Sequence, residues 1–326
     1  MTPLILNAAL KDYIWGGTKL REIYGRQGDS DRIAESWELS CHKDGMSVIA
    51  DGEYKGRTLN EYLRDNPGSL GTNCKRFDTF PVLIKLIDAK DDLSIQVHPD
   101  DEYAERIEGE YGKTEMWYIV DCEDDAELIY GLKRKISRDE FADALKNNTV
   151  TDIVNRVKVK KGDVFFIKSG TIHSIGKGIL VAEIQQNSNT TYRVYDYGRK
   201  GKDGRPRELN IEKALDVTCL KPSQKQHIYP KLSLGGKYKG TSVQLIGDCE
   251  YFTTSEIKLC NSLYCRNVDE KSFCHFLVLE GKCMLDGTDT HMCLEKGTSL
   301  FIPASSGEIS LKGNCSMLCT EINQPL

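Results

Sequence analysis

The chain has 326 residues, of which 39% are hydrophobic and 29% are charged, and its formal net charge is -5. This length can bury a substantial core in two ordinary domains or in one unusually large domain. No apolar run is long enough to span a membrane, and Lys and Arg are mixed among Asp and Glu rather than gathered into a stripe that could bind a phosphate backbone. We therefore expect a soluble globular protein whose partners include neither a membrane nor a nucleic acid.

The amino terminus and the cysteines both indicate a cytoplasmic protein. The first residues, MTPLILNAALKDYIWGG, contain a short apolar patch without a basic leader, which is not typical of a signal peptide. The 12 cysteines are scattered and include no CxxC pair. We interpret them as reduced thiols that pack as small apolar side chains.

Two segments carry signals for the start of a helix. Thr58 followed by Glu61 forms a capping box that opens a short helix, LNEYLRDN. Ser137 and Glu140 form a second capping box, and the apolar positions that follow predict a small helical insert over residues 137–156.

Most of the remaining sequence consists of short apolar alternations between Gly, Asp and Asn turns, which predicts a mainly β protein. The candidate strands before the insert are PVLIKLID, LSIQVH, EMWYIVD and AELIYGL, and those after it are VKVK, DVFFIK, HSI and ILVAEIQQ. A polar, turn-rich stretch over residues 200–235 then leads to a second all-β series from about residue 240.

The two β series share a pattern that indicates an internal duplication. Residues 162–173 align without a gap with residues 297–308, each as a turn glycine, an apolar strand, a tight turn and a second strand. The last aligned position is His173 in the first copy and Glu308 in the second. We therefore predict two β domains, one in residues 1–235, after an amino-terminal segment, and one in residues 236–326.

Four side chains of the first series could converge on a metal ion. Gln96 and His98 project to the same face of one strand because side chains alternate along it. Glu115 begins the next strand, and His173 begins a strand after the turn KSGT. Two imidazoles, one carboxylate and one amide oxygen suit Zn²⁺, but each residue could equally be a hydrogen-bonded structural side chain, and spacing alone leaves both interpretations open.

These residues lie within motifs that resemble a known family. GDVFFIKSGTIH resembles the second cupin motif, and DLSIQVHPDD followed by GKTEMWYIV resembles the first motif as it occurs in class I mannose-6-phosphate isomerases (phosphomannose isomerases) of the short bacterial type. The similarity continues in IWGGTKL, ESWELS and GILVAEIQQNSNTTYRVYDYGR, and it covers about residues 10–200 closely. Beyond about residue 235 the chain is similar to cupins in general.

The resemblance implies two cupin-like barrels of the jelly-roll type, a catalytic one in residues 1–235 and one without a metal site in residues 236–326. It also implies one Zn²⁺ per chain, bound by Gln96, His98, Glu115 and His173. It implies interconversion of mannose-6-phosphate and fructose-6-phosphate through an enediol, a reaction of carbohydrate metabolism. The expected catalytic residues are Arg193, Lys113 and Glu183; Lys113 and Glu183 are both candidates for the base, and Arg193 could hold either the phosphate or the enediolate. The expected phosphate-binding residues are Ser94 and Arg199.

The sequence departs from the family pattern at two positions. Lys168 stands where the cupin motif usually has proline, and Gly112 stands where longer relatives carry a histidine beside the lysine. The second departure removes any proton-transfer role that such a histidine would have.

Two other functions use the same scaffold. One is a cupin oxygenase that binds Fe(II) through two histidines and a carboxylate, against which the fourth ligand Gln96 and the cations Lys113 and Arg193 argue. The other is a non-catalytic cupin that binds a sugar phosphate. In either case the expected partner is a small molecule, and the chain is expected to be a monomer or a small homo-oligomer.

Overall fold

The computed structural model describes residues 2–201, 204–223, 229–287 and 290–324, and these residues are mainly β. Their helices are α1 (Lys19–Glu22), α2 (Leu59–Asp65), α3 (Asp101–Glu108), α4 (Arg138–Lys146), α5 (Val150–Ile153) and α6 (Ile211–Val217), with 3-10 turns at Pro67–Leu70, Thr72–Arg76 and Gly236–Tyr238. No helix in this part of the chain combines the length and the apolar character that crossing a bilayer requires.

The strands, in chain order, are β1 (Leu4–Asn7), β2 (Ala9–Lys11), β3 (Glu35–Leu39), β4 (Cys41–His42), β5 (Gly45–Met46), β6 (Val48–Ile49), β7 (Val82–Ala89), β8 (Ile95–Val97), β9 (Glu115–Cys122), β10 (Glu127–Leu132), β11 (Val154–Lys158), β12 (Val164–Ile167), β13 (His173–Ser174), β14 (Ile179–Gln186), β15 (Tyr192–Tyr195), β16 (Lys231–Ser233), β17 (Thr241–Asp248), β18 (Thr253–Val268), β19 (Cys274–Gly287), β20 (Thr290–Glu295), β21 (Ser299–Ile302) and β22 (Gly307–Glu321). Each strand predicted before and after the helical insert corresponds to one of the strands β7 to β14.

The chain forms two compact units. The central unit, named for its place in the sequence, comprises Leu10–Ser36 and Lys85–Gln226, and the C-terminal unit comprises Met1–Ala9, Trp37–Ile84 and His227–Leu326. The predicted domains divide the chain once, near residue 235, whereas these units are discontinuous. The reason is long-range pairing, because β1 pairs with both β21 and β6 and so joins amino-terminal residues to the C-terminal unit. The predicted domain boundaries stay a prediction, and residues 202–203 and 224–228 of the predicted connection lie outside the described residues.

Two sheets build the central unit. One has the order β12-β9-β14-β7 and continues to β3 and β2, and the other has the order β11-β10-β13-β8-β15. An apolar core that includes Trp117, Ile119, Leu128 and Val181 contains side chains from both sheets. The strand content confirms the prediction of a mainly β protein. Because neither sheet order closes on itself, two closed barrels stay a prediction.

A second core cluster lies between the β8 sheet and the helices. Ile95 and Val97 of β8 pack there with Phe141 and Leu145 of α4. Because side chains alternate along a strand, Gln96 faces away from this cluster. The alternation therefore places Gln96, the one polar residue of β8, on the face of the sheet opposite the helices.

The helix predictions differ in their accuracy. At α2 the full capping box forms, since the Thr58 side chain accepts from the backbone N–H of Glu61 and the Glu61 carboxylate accepts from that of Thr58. At α4 only half of it forms, because Ser137 caps the helix while the Glu140 side chain pairs with Arg134. The insert is also shorter than predicted, since α4 ends at Lys146, α5 is a single turn and β11 begins at Val154.

The C-terminal unit contains one large sheet in the order β16-β17-β18-β22-β19-β21-β1-β6, with β20 paired to β19. Its turn before β21 has the same backbone hydrogen bonds as the turn before β12 in the central unit. The N–H of Gly162 donates to the carbonyl of Ile119 and that of Gly297 to the carbonyl of Val278, each at 2.8 Å. Both glycines have a φ of 87°, a conformation that other residues rarely adopt. This shared turn supports the duplication, and it aligns Glu115 with Cys274 of the second copy.

Candidate metal and substrate site

Three side chains of the central unit form a buried cluster with the composition of a metal site. One nitrogen or oxygen atom from each of His98, Glu115 and His173 lies within 4.8 Å of the others. The Glu115 carboxylate lies 3.5 Å from Nε2 of His98 and 3.4 Å from Nε2 of His173. All three side chains are at most 1% exposed.

The hydrogen-bonding state of these atoms fits a cation. Both ring nitrogens of His98 and both oxygens of Glu115 are buried without a hydrogen bond of good geometry in the described residues. Buried polar atoms in such a state are costly unless another group satisfies them. Nδ1 of His173 lies 2.8 Å from the carbonyl of Thr171, which can only accept, so Nδ1 carries the proton and Nε2 presents its lone pair.

Gln96 joins the same cluster. Its side-chain amide nitrogen lies 3.4 Å from Nε2 of His173. A half-turn of the amide exchanges its oxygen with its nitrogen, so this position can present an oxygen to a cation. The four predicted ligands therefore lie together, and they suit a metal that prefers nitrogen and oxygen donors.

The charge states of the ligands agree with metal binding. Burial, followed by the nearby Lys113 ammonium, lowers the pKa of His98 to about 3, and burial also lowers the pKa of His173. Burial by itself raises the pKa of Glu115, but Lys113 and His98 lower it overall. At neutral pH the cluster therefore offers two neutral imidazoles and one carboxylate.

A line of alternating charges extends from this cluster. Lys113 Nζ lies 3.0 Å from Glu115 and 3.8 Å from Glu183. Glu183 lies 3.3 Å from Lys85 Nζ, which lies 3.6 Å from Glu35. All five side chains are largely buried, so their interactions are screened little by solvent. This arrangement brings two cations and two carboxylates to one side of the candidate metal ligands.

Glu183 is the carboxylate of this line whose pKa is raised. Burial, followed by repulsion from Glu115, raises its pKa, while Lys113 and Lys85 oppose the rise. The indole N–H of Trp117 donates to its second oxygen at 2.9 Å. A buried carboxylate with a raised pKa beside a cleft is typical of a group that transfers protons.

A cleft of about 290 Å³ opens beside these residues, at the lower end of the range for small-molecule sites. Its lining comprises Tyr13, Trp15, Glu35, Lys85, Ile87, Leu93, Ser94, Gln96, Lys113, Ile175, Glu183, Asn189, Thr191, Arg193 and Arg207. The cleft therefore contains the predicted residues Ser94, Lys113, Glu183 and Arg193 together with Gln96. Arg199, the other residue predicted to bind the phosphate, is not among the described residues that line the cleft.

The arginines near the cleft have different partners. Arg193 donates through Nε to Ser94 Oγ at 3.1 Å and through Nη1 to the carbonyl of Glu208 at 3.0 Å. Arg199 donates to Asp196 at 2.6 Å and to the carbonyl of Asp92. Arg207 forms a two-point pair with Asp196.

Several site residues escaped the sequence analysis. Lys85 carries a detectable signal, because it is the one charged residue between apolar residues in VLIKLI of β7. Glu35 begins the family-like motif ESWELS, but no local pattern marks its side chain as part of the site, and Arg207 lies in a turn-rich stretch without a motif. The departure at Gly112 also has a physical reason, since a Cβ there would lie 2.4 Å from the backbone of Asp100.

Comparison with known proteins gives consistent results along the whole chain. Residues 4–133 match the family model of the type I phosphomannose isomerase catalytic domain, and residues 242–322 match that of the mannose-6-phosphate isomerase cupin domain. Mannose-6-phosphate isomerase ManA of Bacillus subtilis is 37% identical over 321 residues, which cover 98% of this chain and 99% of that protein. The mannose-6-phosphate isomerase of Streptococcus mutans is 35% identical over 323 residues, which cover 99% of each.

Solved structures agree with this result. The crystal structure of the mannose 6-phosphate isomerase from Bacillus subtilis has a TM-score of 0.91 at 37% identity, covering 99% of this chain and 100% of that one. The apo mannose 6-phosphate isomerase of Salmonella typhimurium shares the fold, with a TM-score of 0.76 at 17% identity over the full length of both chains.

Proposed function

The chain belongs to the type I mannose-6-phosphate isomerase family, and from this premise we propose that it interconverts mannose-6-phosphate and fructose-6-phosphate through an enediol and depends on zinc. The observation that carries the proposal is the buried cluster of His98, Glu115 and His173 beside a cleft that also contains Glu183 and Lys113. We propose that these three ligands and Gln96 hold the metal. Bound there, zinc would supply Lewis acidity that stabilises negative charge on a substrate oxygen.

The reaction moves one proton between neighbouring carbons. A base removes the proton from C2 of the aldose while the C1 carbonyl oxygen gains a proton, which gives the enediol. The ketose forms when a proton returns to C1 and the C2 oxygen gives up its own. The chain must therefore provide a base, a cation near the two oxygens, and groups that hold the phosphate at a fixed distance.

We assign the base to Glu183 and the cation to Lys113. Glu183 lines the cleft, and its raised pKa brings it closer to neutrality, where a base that must also return the proton works best. Lys113 forms ion pairs with both Glu115 and Glu183, which suits a fixed positive charge rather than a group that exchanges protons. Arg193 also lines the cleft, where it donates to Ser94, and it can contact the substrate there.

We further propose one zinc per chain and a second cupin-like barrel without a metal. The aligned turns place Cys274 opposite Glu115 and Glu308 opposite His173, and the one group of His, Cys, Asp and Glu side chains close enough to hold a metal among the described residues is that of His98, Glu115 and His173. The cytoplasmic location and a monomeric or small oligomeric state stay predictions.

The decisive experiment is a coupled assay of fructose-6-phosphate formation from mannose-6-phosphate. The metal is removed with a chelator, and zinc or Fe(II) is then restored in separate samples. We expect turnover to disappear on removal and to return with zinc, and absence of turnover in the zinc-restored protein would contradict the proposal. Deuterium uptake from solvent into C1 or C2 separates an isomerase from a protein that only binds the sugar phosphate, since binding alone moves no proton.

A further inference from the structure

Two guanidinium groups line the cleft, those of Arg193 and Arg207, and the proposed reaction assigns no role to Arg207. Arg193 and Arg207 both belong to the lining, together with the neutral polar side chains of Ser94, Asn189 and Thr191. This group of residues differs from the metal cluster, because it contains cations and neutral hydrogen-bonding groups without a carboxylate that faces the cleft.

Arg207 is held in a fixed orientation by Asp196. Its Nε donates to one carboxylate oxygen at 2.7 Å, and its Nη2 donates to the other. Asp196 is itself buried, and Arg199 donates to it at 2.6 Å. A planar guanidinium fixed by such a two-point pair loses little further conformational freedom when it binds a ligand.

Both cleft arginines keep donors for a ligand. Nη1 of Arg207 and Nη2 of Arg193 make no hydrogen bond within the described part of the chain. The other groups of Arg193 donate to Ser94 and to the carbonyl of Glu208, which are neutral acceptors. The two side chains can therefore offer several N–H donors to one oxyanion.

The local charge also favours an anion. Arg199 and Arg207 share the carboxylate of Asp196, whereas Arg193 donates only to the neutral Ser94 hydroxyl and Glu208 carbonyl within the described residues. Burial, followed by repulsion from Arg207, lowers the pKa of Arg193, as expected where positive charge is in excess. A phosphate dianion would offset this excess and accept from both forks.

We propose that Arg207 and Arg193 together bind the phosphate group of the substrate, and that Arg199 instead positions Arg207 through Asp196. This inference rests on the proposed function, because it assumes a sugar phosphate in the cleft. It revises the expectation that Arg199 contacts the phosphate, because Arg199 donates to Asp196 and to the backbone carbonyl of Asp92 and is not among the described residues that line the cleft.

The test compares Arg207→Gln and Arg207→Lys with Arg199→Gln in the full-length, zinc-loaded protein. For each we would measure kcat and KM for mannose-6-phosphate and the inhibition constant of inorganic phosphate as a competitive inhibitor. Arg134→Gln serves as the matched control, because Arg134 pairs with Glu140 on an exposed surface. Circular dichroism and zinc content establish that each variant is folded and loaded.

Loss of one charge-assisted contact predicts that Arg207→Gln raises both KM and the inhibition constant of phosphate by about 10- to 100-fold, with a much smaller change in kcat. Arg207→Lys should recover only part of this loss, because a lysine cannot form the two-point pair with Asp196. Arg199→Gln should raise both constants by less than Arg207→Gln, and Arg134→Gln should change neither.

Two results would overturn the proposal. One is an Arg207→Gln protein, folded and zinc-loaded, whose inhibition constant for phosphate equals that of the wild type. The other is an Arg199→Gln protein that loses phosphate inhibition more severely than Arg207→Gln. Failure of the proposed function is distinguishable from both, since it would appear as a wild-type protein without turnover.

Discussion

The hydrogen bond between Trp117 and Glu183 gives a direct test of the proposed base. Trp117→Phe removes the indole N–H, which donates to Glu183 at 2.9 Å inside the protein. This bond stabilises the charged form of the carboxylate, so its loss raises the pKa of Glu183 further. A base acts in its deprotonated form, and the acidic limb of the pH profile must therefore move to higher pH.

The size of this movement follows from the strength of the bond. A hydrogen bond to a charged group contributes about 1.5 to 3 kcal/mol, and about 1.4 kcal/mol corresponds to a tenfold change in a protonation equilibrium. We therefore expect the acidic limb of kcat/KM to move upward by about 1 to 2 pH units.

The assay is the pH dependence of kcat/KM for mannose-6-phosphate, which reports the groups of the free enzyme. Zinc content must be measured in parallel, because the Trp117 ring also contacts the ring of His173 with centroids 5.3 Å apart. Trp15→Phe is the matched control, since Trp15 lines the same cleft and should leave the acidic limb in place. An unmoved limb in a folded, zinc-loaded Trp117→Phe protein would refute Glu183 as the base and favour Lys113.

Three further predictions follow from other parts of the molecule. His98→Ala and His173→Ala should each lose bound zinc and activity together, while Glu308→Ala should keep both; metal analysis with the coupled assay measures this, and zinc loss in Glu308→Ala would contradict the single site. Although burial raises the pKa of Asp196, Arg207 and Arg199 lower it overall, so the stabilisation by its charge is complete above the ordinary Asp pKa of about 4 and disappears as the pH falls through the lower, folded-state value. Urea unfolding should therefore show Asp196→Asn to be less stable than the wild type by about 1 to 2 kcal/mol at pH 7, and a difference that persists undiminished in acid would contradict this origin. Phe141→Ala, in a fully buried position of α4, should lower the free energy of unfolding by about 3 to 5 kcal/mol, and a loss below 1 kcal/mol, about the value for an exposed site, would show that the insert does not depend on this core.

The sequence could predict those features that depend on neighbouring residues. The strands β7 to β14 follow from their apolar alternation. Helix α2 follows from the capping box of Thr58 and Glu61, which lie three positions apart. The same periodicity explains why Gln96 faces the site while Ile95 and Val97 face the helices. The four proposed metal ligands were found because each has a fixed position in a strand or in a turn that begins one.

Other features depended on contacts between distant parts of the chain. Glu35 and Lys85 lie 50 positions apart and on different strands, yet their side chains form an ion pair at 3.6 Å, and no local pattern records such a pair. The assignment of the amino-terminal strand β1 to the C-terminal unit likewise required its partner β21, almost 300 residues away. Sequence spacing reports the direction of a side chain within one element, but not which other elements pack against it.

The arginines show this limit most clearly. From the sequence, Arg193, Arg199 and Arg207 are three similar cations in one polar region, and Arg199 is predicted, with Ser94, to bind the phosphate. In the folded chain Asp196 fixes two of them, and only Arg193 and Arg207 belong to the described lining of the cleft. The sequence by itself predicted the strands β7 to β14, the positions of the proposed metal ligands and the family, because these depend on local periodicity and motif. The tertiary structure alone decided which of these charges line the cleft, because that depends on how the buried carboxylate of Asp196 orients the guanidinium groups bound to it.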